Sequence, residues 1–496
     1  MNFSAKISPY FVYVASFAFI WTVVLSAGIG HASAAPRDWR APIAPSKTVV
    51  SDTADTYVSL SWKAAKDDRG VSRYDIYNES TKVGTSVGTS YKVTGLKPET
   101  EYSFKVRAAD AAGNLSPFGG AVDVVTEEKA QVKAVIGYYT GWSTYSGHQI
   151  SEIDGSKLTH INYAFANIGQ DLKIEIGDVH ADVEKWFPGD SSADPYHGNF
   201  NQLRKLKQRY PHLKTFISVG GWSWSGKFSD AALTDASRSA FADSAVSFLT
   251  KYGFDGIDID WEYPVSGGMY GNVKRAADKQ NFTLLMQKLR EKLDEQGAKD
   301  GKSYLLSLAG ASGGFYRSNV ELSKLQQYAD FINVMSYDLH GTWDSKTGFN
   351  APLYRDPNSV FAYETSVDDS MQGYLKAGVP AEKLVMGVPF YGYKYDAAAN
   401  TNKGLYQSFK GGTSVTYGHV VTKYLGKGYT RYFHPVSKVP YLYNGSSFIS
   451  YDDPESIGHK AAYVKENNLA GAMVWSLTHD SSDGALLKAL YEGLQD

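Results

Sequence analysis

The chain has 496 residues, of which 43% are apolar and 21% are charged, and its formal net charge is −2. This near-neutral balance, without a lysine- or arginine-rich block, argues against a nucleic-acid-binding protein and against stable association with an anionic membrane surface. There is no cysteine, which excludes disulfides, thiolate metal sites and cysteine nucleophiles. The length is sufficient for more than one domain, although a single barrel can also be large.

The N-terminal segment 1–34 is typical of a secretory signal peptide. Lys6 is its only charged residue, an apolar run from Phe11 to Leu25 follows, and Ala32-Ser33-Ala34 forms a small-residue cleavage site. The apolar run is long enough for a retained membrane anchor, but the cleavage site favours removal. We therefore expect a secreted, extracellular protein.

The segment 42–127 is predicted to form a small β-sandwich. Short alternating runs, such as Tyr57–Trp62 and Tyr102–Ala108, are separated by turn residues at close intervals. With Trp62 upstream, the run Leu96–Tyr102 resembles part of a fibronectin type III domain. The resemblance implies that Trp62 is the core tryptophan and that the hydroxyl of Tyr102 bonds to the backbone. No carboxylate pair or aromatic row marks a binding site here, so we expect a spacer or presenting module.

From Ala134 onward, apolar strands alternate with amphipathic helices, which is typical of βα units and a parallel sheet. Eight such strands predict an α/β fold, a (β/α)8 TIM barrel spanning residues 134–496. A doubly wound sheet is the alternative, but no glycine-rich phosphate loop follows the first strand. The tyrosine-rich segment 393–450 lies in a gap too long for one helix and is predicted to be an inserted α+β subdomain. The predicted strands are Ala134–Tyr139, His160–Phe165, Thr215–Val219, Gly256–Asp260, Tyr304–Leu308, Phe331–Met335, Leu384–Val388 and Gly471–Trp475.

The run Asp255–Pro264 carries the strongest functional signal. Because alternate side chains of a strand share a face, Asp258, Asp260 and Glu262 are predicted to point the same way, each about 6.6 Å from the next. Three carboxylates on one face repel one another and burial makes each harder to ionise, so the pattern indicates a site that tunes protonation. Apolar flanks argue against a solvated edge strand, and the intervening isoleucine and tryptophan argue against a calcium loop. We expect no metal and no cofactor.

Other predicted strand ends also carry unusual residues, and the reactive groups of such a barrel come from the carboxyl ends of its strands. Small residues, Ser218–Gly221, end the third strand and leave room beside the carboxylates. Tyr337 and Asp338 follow the sixth strand, and Trp475 ends the eighth. Trp475 could be a core tryptophan, but a large indole at a barrel mouth favours the floor of a sugar site.

Taken in order, these segments resemble glycoside hydrolase family 18, and in particular its secreted bacterial chitinases. Asp255–Glu262 matches the DGxDxDWE signature, Ser218–Gly221 the SxGG motif and Met335–Asp338 the MxYD motif. Val388–Gly392 and Gly471–Trp475 also match, in the family's order and spacing.

The resemblance implies hydrolysis of chitin or chitooligosaccharides with net retention, assisted by the acetamido group of the substrate. Glu262 would protonate the glycosidic oxygen and then deprotonate water, while the substrate's N-acetyl oxygen serves as the nucleophile. Asp260 would accept the acetamido N–H, and Asp258 would share a proton with Asp260. Tyr337 would hydrogen-bond the acetamido oxygen, and Asp338 would help to hold the distorted sugar.

Apolar and aromatic residues near the strand ends are candidates for sugar binding. Trp475 would stack beneath the reacting ring. The other candidates, each of which could equally be a packing residue, are Tyr139, Phe165, Trp222, Tyr263, Met335, Trp343 and Tyr391. Two positions depart from the family pattern: Tyr393 stands where many relatives carry arginine, and Ser476 stands where glutamate is common. Both departures would alter binding more than chemistry, and the first puts a polar contact to the sugar in doubt.

Two alternatives remain open. A non-catalytic chitooligosaccharide-binding protein could use the same scaffold, but such relatives usually lack the acid that Glu262 provides. An endo-β-N-acetylglucosaminidase acting on N-glycans would share the carboxylates, but the inserted subdomain favours a deep groove for linear chitin. We expect the protein to be a monomer.

Overall fold

The computed structural model describes residues 37–127 and 132–495, and the chain divides into two compact units, Met1–Ala130 and Gln131–Asp496. The predicted signal peptide at 1–34 lies outside the described residues. Among the helices that are described, none is both long and apolar enough to cross a membrane.

The N-terminal unit is a sandwich of two antiparallel sheets. The ring of Trp62 is buried and packs on Tyr74 at a centroid distance of 5.4 Å. The hydroxyl of Tyr102 accepts a hydrogen bond of 2.9 Å from the backbone N–H of Lys97. Both contacts agree with the roles that the fibronectin type III resemblance implied. The strands are Val49–Thr53, Tyr57–Ser61 and Ser90–Thr94 in one sheet, and Val71–Asn78, Thr81–Ser86, Glu101–Asp110 and Val122–Val125 in the other.

The second unit is a closed barrel of eight parallel strands, as predicted. The strands are β1 (Ala134–Thr140), β2 (His160–Ile168), β3 (Lys214–Gly220), β4 (Gly256–Asp260), β5 (Leu305–Ala311), β6 (Phe331–Met335), β7 (Leu384–Pro389) and β8 (Gly471–Trp475). Each strand pairs with the next, and β1 pairs with both β2 and β8, which closes the sheet. All eight predicted strands are present. The largest differences are at the ends of β2 and β5, which continue three residues further than predicted.

Helices of the barrel follow the strands, and the last of them comes after β8. The longer ones are Gly198–Arg209, Asp235–Tyr252, Asp278–Asp300, Gly314–Asn319, Val367–Lys376, Pro454–Glu466 and Ala485–Gln495. The helix Asp235–Tyr252 shows how local sequence sets such an element. Thr234 accepts a hydrogen bond from the backbone N–H of Ser237 and so caps its start. Gly253 ends it in a left-handed conformation with φ 74°, which glycine adopts without a Cβ clash.

The inserted subdomain lies between β7 and β8 and contains a five-stranded antiparallel sheet. Its strands, in spatial order, are Gly411–Thr416, Tyr391–Asp396, Phe448–Ser450, Val439–Tyr443 and Thr430–His434. The first of these strands in the chain begins at Tyr391, two residues before the predicted boundary. The reason is that the chain turns out of the barrel directly after Pro389, so the new sheet starts before the sequence changes in composition.

Candidate active site

The acidic row begins on β4 and continues past its end. Asp258 and Asp260 face the barrel interior, whereas Ile257, Ile259 and Trp261 are buried on the opposite side. The strand ends at Asp260, so Glu262 lies just beyond it. The alternation nevertheless continues, and Glu262 lines the same cavity as Asp260.

Asp258 is completely buried and is held from four different strands. Its Oδ2 accepts hydrogen bonds from Tyr138 on β1 and Ser218 on β3, both at 2.7 Å. Its Oδ1 accepts from Ser307 on β5 at 2.6 Å and from the side-chain amide of Asn333 on β6 at 3.3 Å. Burial raises the pKa of Asp258, and the four donors oppose that effect because they favour the ionised form.

Asp260 is also buried, but it differs from Asp258 in its hydrogen bonds. Its Oδ1 is buried and, among the described residues, has no hydrogen-bond partner. Burial raises the pKa of Asp260 well above its usual range, and the negative charges of Glu262 and Asp258 raise it further. Asp260 therefore retains its proton to a higher pH than an exposed aspartic acid does.

Glu262 is placed to donate a proton into the cavity. Burial raises its pKa to about 7; the hydroxyl of Tyr263 opposes this, and the charge of Asp338 adds to it. The backbone around Glu262 is fixed, because its N–H donates to Ser225 Oγ at 2.8 Å and its carbonyl accepts from Asn272 at 3.1 Å. A glutamic acid of this kind is half protonated near neutral pH and can act first as an acid and then as a base.

Tyr337 and Asp338 follow β6 on the same side of the barrel. The ring of Tyr337 is buried, and its hydroxyl lies 3.8 Å from the sulfur of Met473. Asp338 is exposed to the cavity, and its backbone N–H donates to Asn350 at 2.8 Å. Its Oδ1 accepts hydrogen bonds from the hydroxyls of Tyr391 at 2.5 Å and Tyr393 at 2.6 Å.

A cavity of about 760 Å³ opens above these groups at the carboxyl ends of the strands. Its walls are mostly aromatic and apolar, and none of the described residues that line it is a lysine, arginine or histidine. The predicted site residues that line it are Asp260, Glu262, Tyr337, Asp338, Phe165, Trp222, Tyr263, Met335, Tyr391 and Trp475.

Two candidate sugar contacts are not part of the cavity wall. Tyr139 is fully buried, and its hydroxyl donates to the carbonyl of His148 at 2.8 Å, so it is a packing residue. The reason is strand alternation, since its neighbour Tyr138 takes the inward position on β1. Trp343 is 60% exposed and packs edge-on against Tyr393, with centroids 5.3 Å apart, outside the cavity.

The structure also adds cavity residues that sequence reasoning missed. Tyr138 reaches Asp258 with its hydroxyl and contacts Trp475 with its ring, at a centroid distance of 5.5 Å. Every residue of β1 is buried, so the hydrophobic pattern gave no signal for it. Trp142, Trp224 and Phe315 lie on segments after β1, β3 and β5 whose course no sequence pattern indicated.

In the described part of the chain, two groups of side chains have metal-binding chemistry, and none of their members is among the residues that line the cavity. Asp190, Asp194 and His197 lie together, but the ammonium of Lys205 is already 2.6 Å from Asp190. Asp38, Asp67 and Asp110 form a second group in the N-terminal unit. Neither group therefore bears on the chemistry of the cavity.

The sequence from 134 to 480 matches the family model described as Glycosyl hydrolases family 18. The chain belongs to this family. A second model, Fibronectin type III domain, matches residues 43–124. The family, the barrel fold and the fibronectin type III fold expected from the sequence are confirmed.

Relatives of this family 18 chain include Chitinase A1 of Niallia circulans, 46% identical over 73% of this chain. The match covers 58% of that relative's length, so the chain spans less than two thirds of it. Chitinase C of Streptomyces lividans is 35% identical over 93% of this chain and 76% of its own. Among solved structures, chitinase ChiA74 from Bacillus thuringiensis superposes with a TM-score of 0.71 at 38% identity, covering 74% of this chain and 70% of that one. All three of these proteins are named chitinases.

Proposed function

We propose that the chain is a chitinase that hydrolyses β-1,4 bonds between N-acetylglucosamine units of chitin or chitooligosaccharides. The observation that carries the proposal is Glu262, a glutamic acid with a pKa of about 7 beside Asp260 in an aromatic-lined cavity. A general acid works best when its pKa lies near the operating pH. The names of the relatives support chitin as the substrate.

The proposed reaction proceeds in two displacements at the anomeric carbon. Glu262 protonates the glycosidic oxygen while the carbonyl oxygen of the substrate's own acetamido group attacks the anomeric carbon. The glycosidic C–O bond breaks, the leaving sugar departs with the proton as an alcohol, and an oxazolinium-like intermediate remains. Asp260 accepts the acetamido N–H and, by sharing its proton with Asp258, offsets the developing positive charge. Glu262 then removes a proton from water, and the water opens the intermediate with net retention.

Aromatic residues would hold the sugar during these steps. Trp475 stacks beneath the reacting ring, and its orientation is supported by Phe165, whose ring is stacked on it at 5.9 Å. The hydroxyl of Tyr337 bonds to the acetamido oxygen. An indole face suits a pyranose ring because it buries apolar C–H surface and leaves the hydroxyls at the ring edge free to bond.

The first experiment compares Glu262→Gln with the wild-type protein on a chromogenic chitooligosaccharide. Loss of the acid should lower kcat/KM by about 10²–10⁴-fold, whereas sugar binding, followed by tryptophan fluorescence, should persist. The matched control is Glu382→Gln, an exposed glutamate before the amino end of β7. In the wild-type protein, kcat/KM should fall as pH rises through about 7, when Glu262 loses its proton. Equal activity in Glu262→Gln and the control would contradict the assignment.

A second experiment tests assistance by the acetamido group. Asp260→Asn should lower kcat because the charge stabilisation is lost. With the wild-type protein, NMR of the first-formed product should show the retained β anomer. An inverted first product, or unchanged kinetics in Asp260→Asn, would refute this mechanism while leaving the hydrolase assignment intact.

We further propose that segment 1–34 directs export, that residues 42–127 act as a spacer or presenting module, and that residues 134–496 act as a monomeric catalytic barrel outside the cell. N-terminal sequencing of protein recovered from the culture medium would test the export step, and a start at Met1 would contradict it. Sedimentation would test the monomer.

A further inference from the structure

The carboxylate of Asp338 is held by one oxygen only. The hydroxyls of Tyr391 and Tyr393 both donate to Oδ1, at 2.5 and 2.6 Å. Among the described residues, no protein group donates a hydrogen bond to Oδ2, and Asp338 lines the cavity. The two tyrosines stand two apart on the strand Tyr391–Asp396, so they share one face of the inserted sheet.

Tyr393 does not line the cavity but contacts two residues that do, Asp338 and Tyr391. Its side chain is 7% exposed and is not part of the cavity wall. Its ring packs edge-on against Trp343 at 5.3 Å and against Tyr391 at 5.9 Å, and these contacts fix the direction of its hydroxyl. Tyr395 is the next residue on the same face, but its hydroxyl lies 3.5 Å from the carbonyl of Gly348 and does not contact Asp338.

We propose that Tyr393 is a positioning residue for the reaction: together with Tyr391 it holds Oδ1 of Asp338 and leaves Oδ2 to accept a hydrogen bond from a sugar hydroxyl or amide group. The inference rests on the proposed function. It assigns a role to one of the two positions at which the sequence departs from the family pattern.

The chemistry of the two donors explains why tyrosine suits this position. A cation would neutralise the carboxylate, whereas two neutral hydroxyls stabilise the anion and leave its full negative charge available to the sugar. Among the described residues, the titratable groups from other elements on which the charge of Asp338 acts include Glu262 and three tyrosines of the inserted sheet, Tyr391, Tyr393 and Tyr395; its chain neighbour Tyr337 is affected as well. Although Asp338 is open to the cavity, partial desolvation by the surrounding walls raises its pKa, and the hydroxyls of Tyr391 and Tyr393 oppose this rise.

The test is Tyr393→Phe, which keeps the ring and its packing but removes the hydroxyl. On a defined chitooligosaccharide, kcat/KM should fall about tenfold, since one hydrogen bond to a charged group is lost. The acid limb of the pH profile should move up by about half a unit to one unit, because the Asp338 carboxylate has lost a donor. Tyr395→Phe is the matched control and should leave both quantities unchanged.

A second variant shows whether Tyr393 acts through Asp338. In an Asp338→Asn background, Tyr393→Phe should have little further effect on kcat/KM. A Tyr393→Phe protein with the wild-type pH profile, or with the same fractional loss in both backgrounds, would overturn the inference. An inactive wild-type protein would instead refute the proposed function, so the two failures are distinguishable.

Discussion

Replacing Ser307 with alanine should destabilise the barrel by about 2–3 kcal/mol at a pH high enough for Asp258 to be ionised. The hydroxyl of Ser307 donates to Oδ1 of Asp258 at 2.6 Å, and the carboxylate is completely buried. Without it, Oδ1 keeps only the 3.3 Å bond from Asn333. A buried anion that loses a donor bears most of the desolvation penalty, because water cannot reach it.

The two serines that hold Asp258 should not be equivalent. Ser218→Ala also removes a donor, but Oδ2 keeps the 2.7 Å bond from Tyr138, so we expect a smaller loss of about 1–2 kcal/mol. The pKa of Asp258 is already raised by burial, and the loss of a donor raises it further. The destabilisation should therefore grow as pH rises and Asp258 ionises, and shrink in acid, where the carboxyl group is protonated.

Differential scanning calorimetry at several pH values can measure the loss of stability in the two serine variants, provided that the unfolding transition of the barrel is separated from that of the N-terminal unit. Ser303→Ala, an exposed serine just before β5, is the control and should be neutral. The reasoning fails if Ser307→Ala is as stable as this control, if Ser218→Ala is the more damaging change, or if the effect grows toward acid pH.

Two further changes probe buried charges elsewhere in the barrel. Lys460→Met should lower the free energy of unfolding by about 3–5 kcal/mol, because Asp452 would be left as an unpaired buried charge. The carboxylate of Asp452 lies 2.6 Å from the ammonium of Lys460, and its side chain is 2% exposed. A melting-temperature loss no larger than that of the exposed Lys488→Met would contradict this prediction. Burial raises the pKa of Asp182 to about 6, above its value in the unfolded chain, so the wild-type protein should lose stability as pH rises from about 4 through 6. The Asp182→Asn variant should not show that loss, so its free energy of unfolding relative to the wild-type protein should improve by about 2–3 kcal/mol between pH 4 and 7. A difference between the two proteins that stays constant over this pH range would contradict the role given to Asp182.

Strand positions and the common face of the acids could be predicted because both are local properties. An apolar run marks a buried strand wherever it packs, and alternation places Asp258, Asp260 and Glu262 together whatever surrounds them. The choice between Tyr138 and Tyr139 could not be made in this way. Every residue of β1 is buried, so its hydrophobic pattern does not distinguish the barrel interior from the helix layer.

By itself, the sequence determined the eight strands, the acidic face and the family. The tertiary structure alone decided how each acid is protonated and held. Asp258 acquires its four donors only when β1, β3, β5 and β6 close around it. Tyr393 meets Asp338 only because the inserted sheet brings together residues 55 positions apart. The physical reason is that alternation is a property of neighbouring residues, whereas burial and hydrogen-bond partners exist only after distant segments have packed against one another.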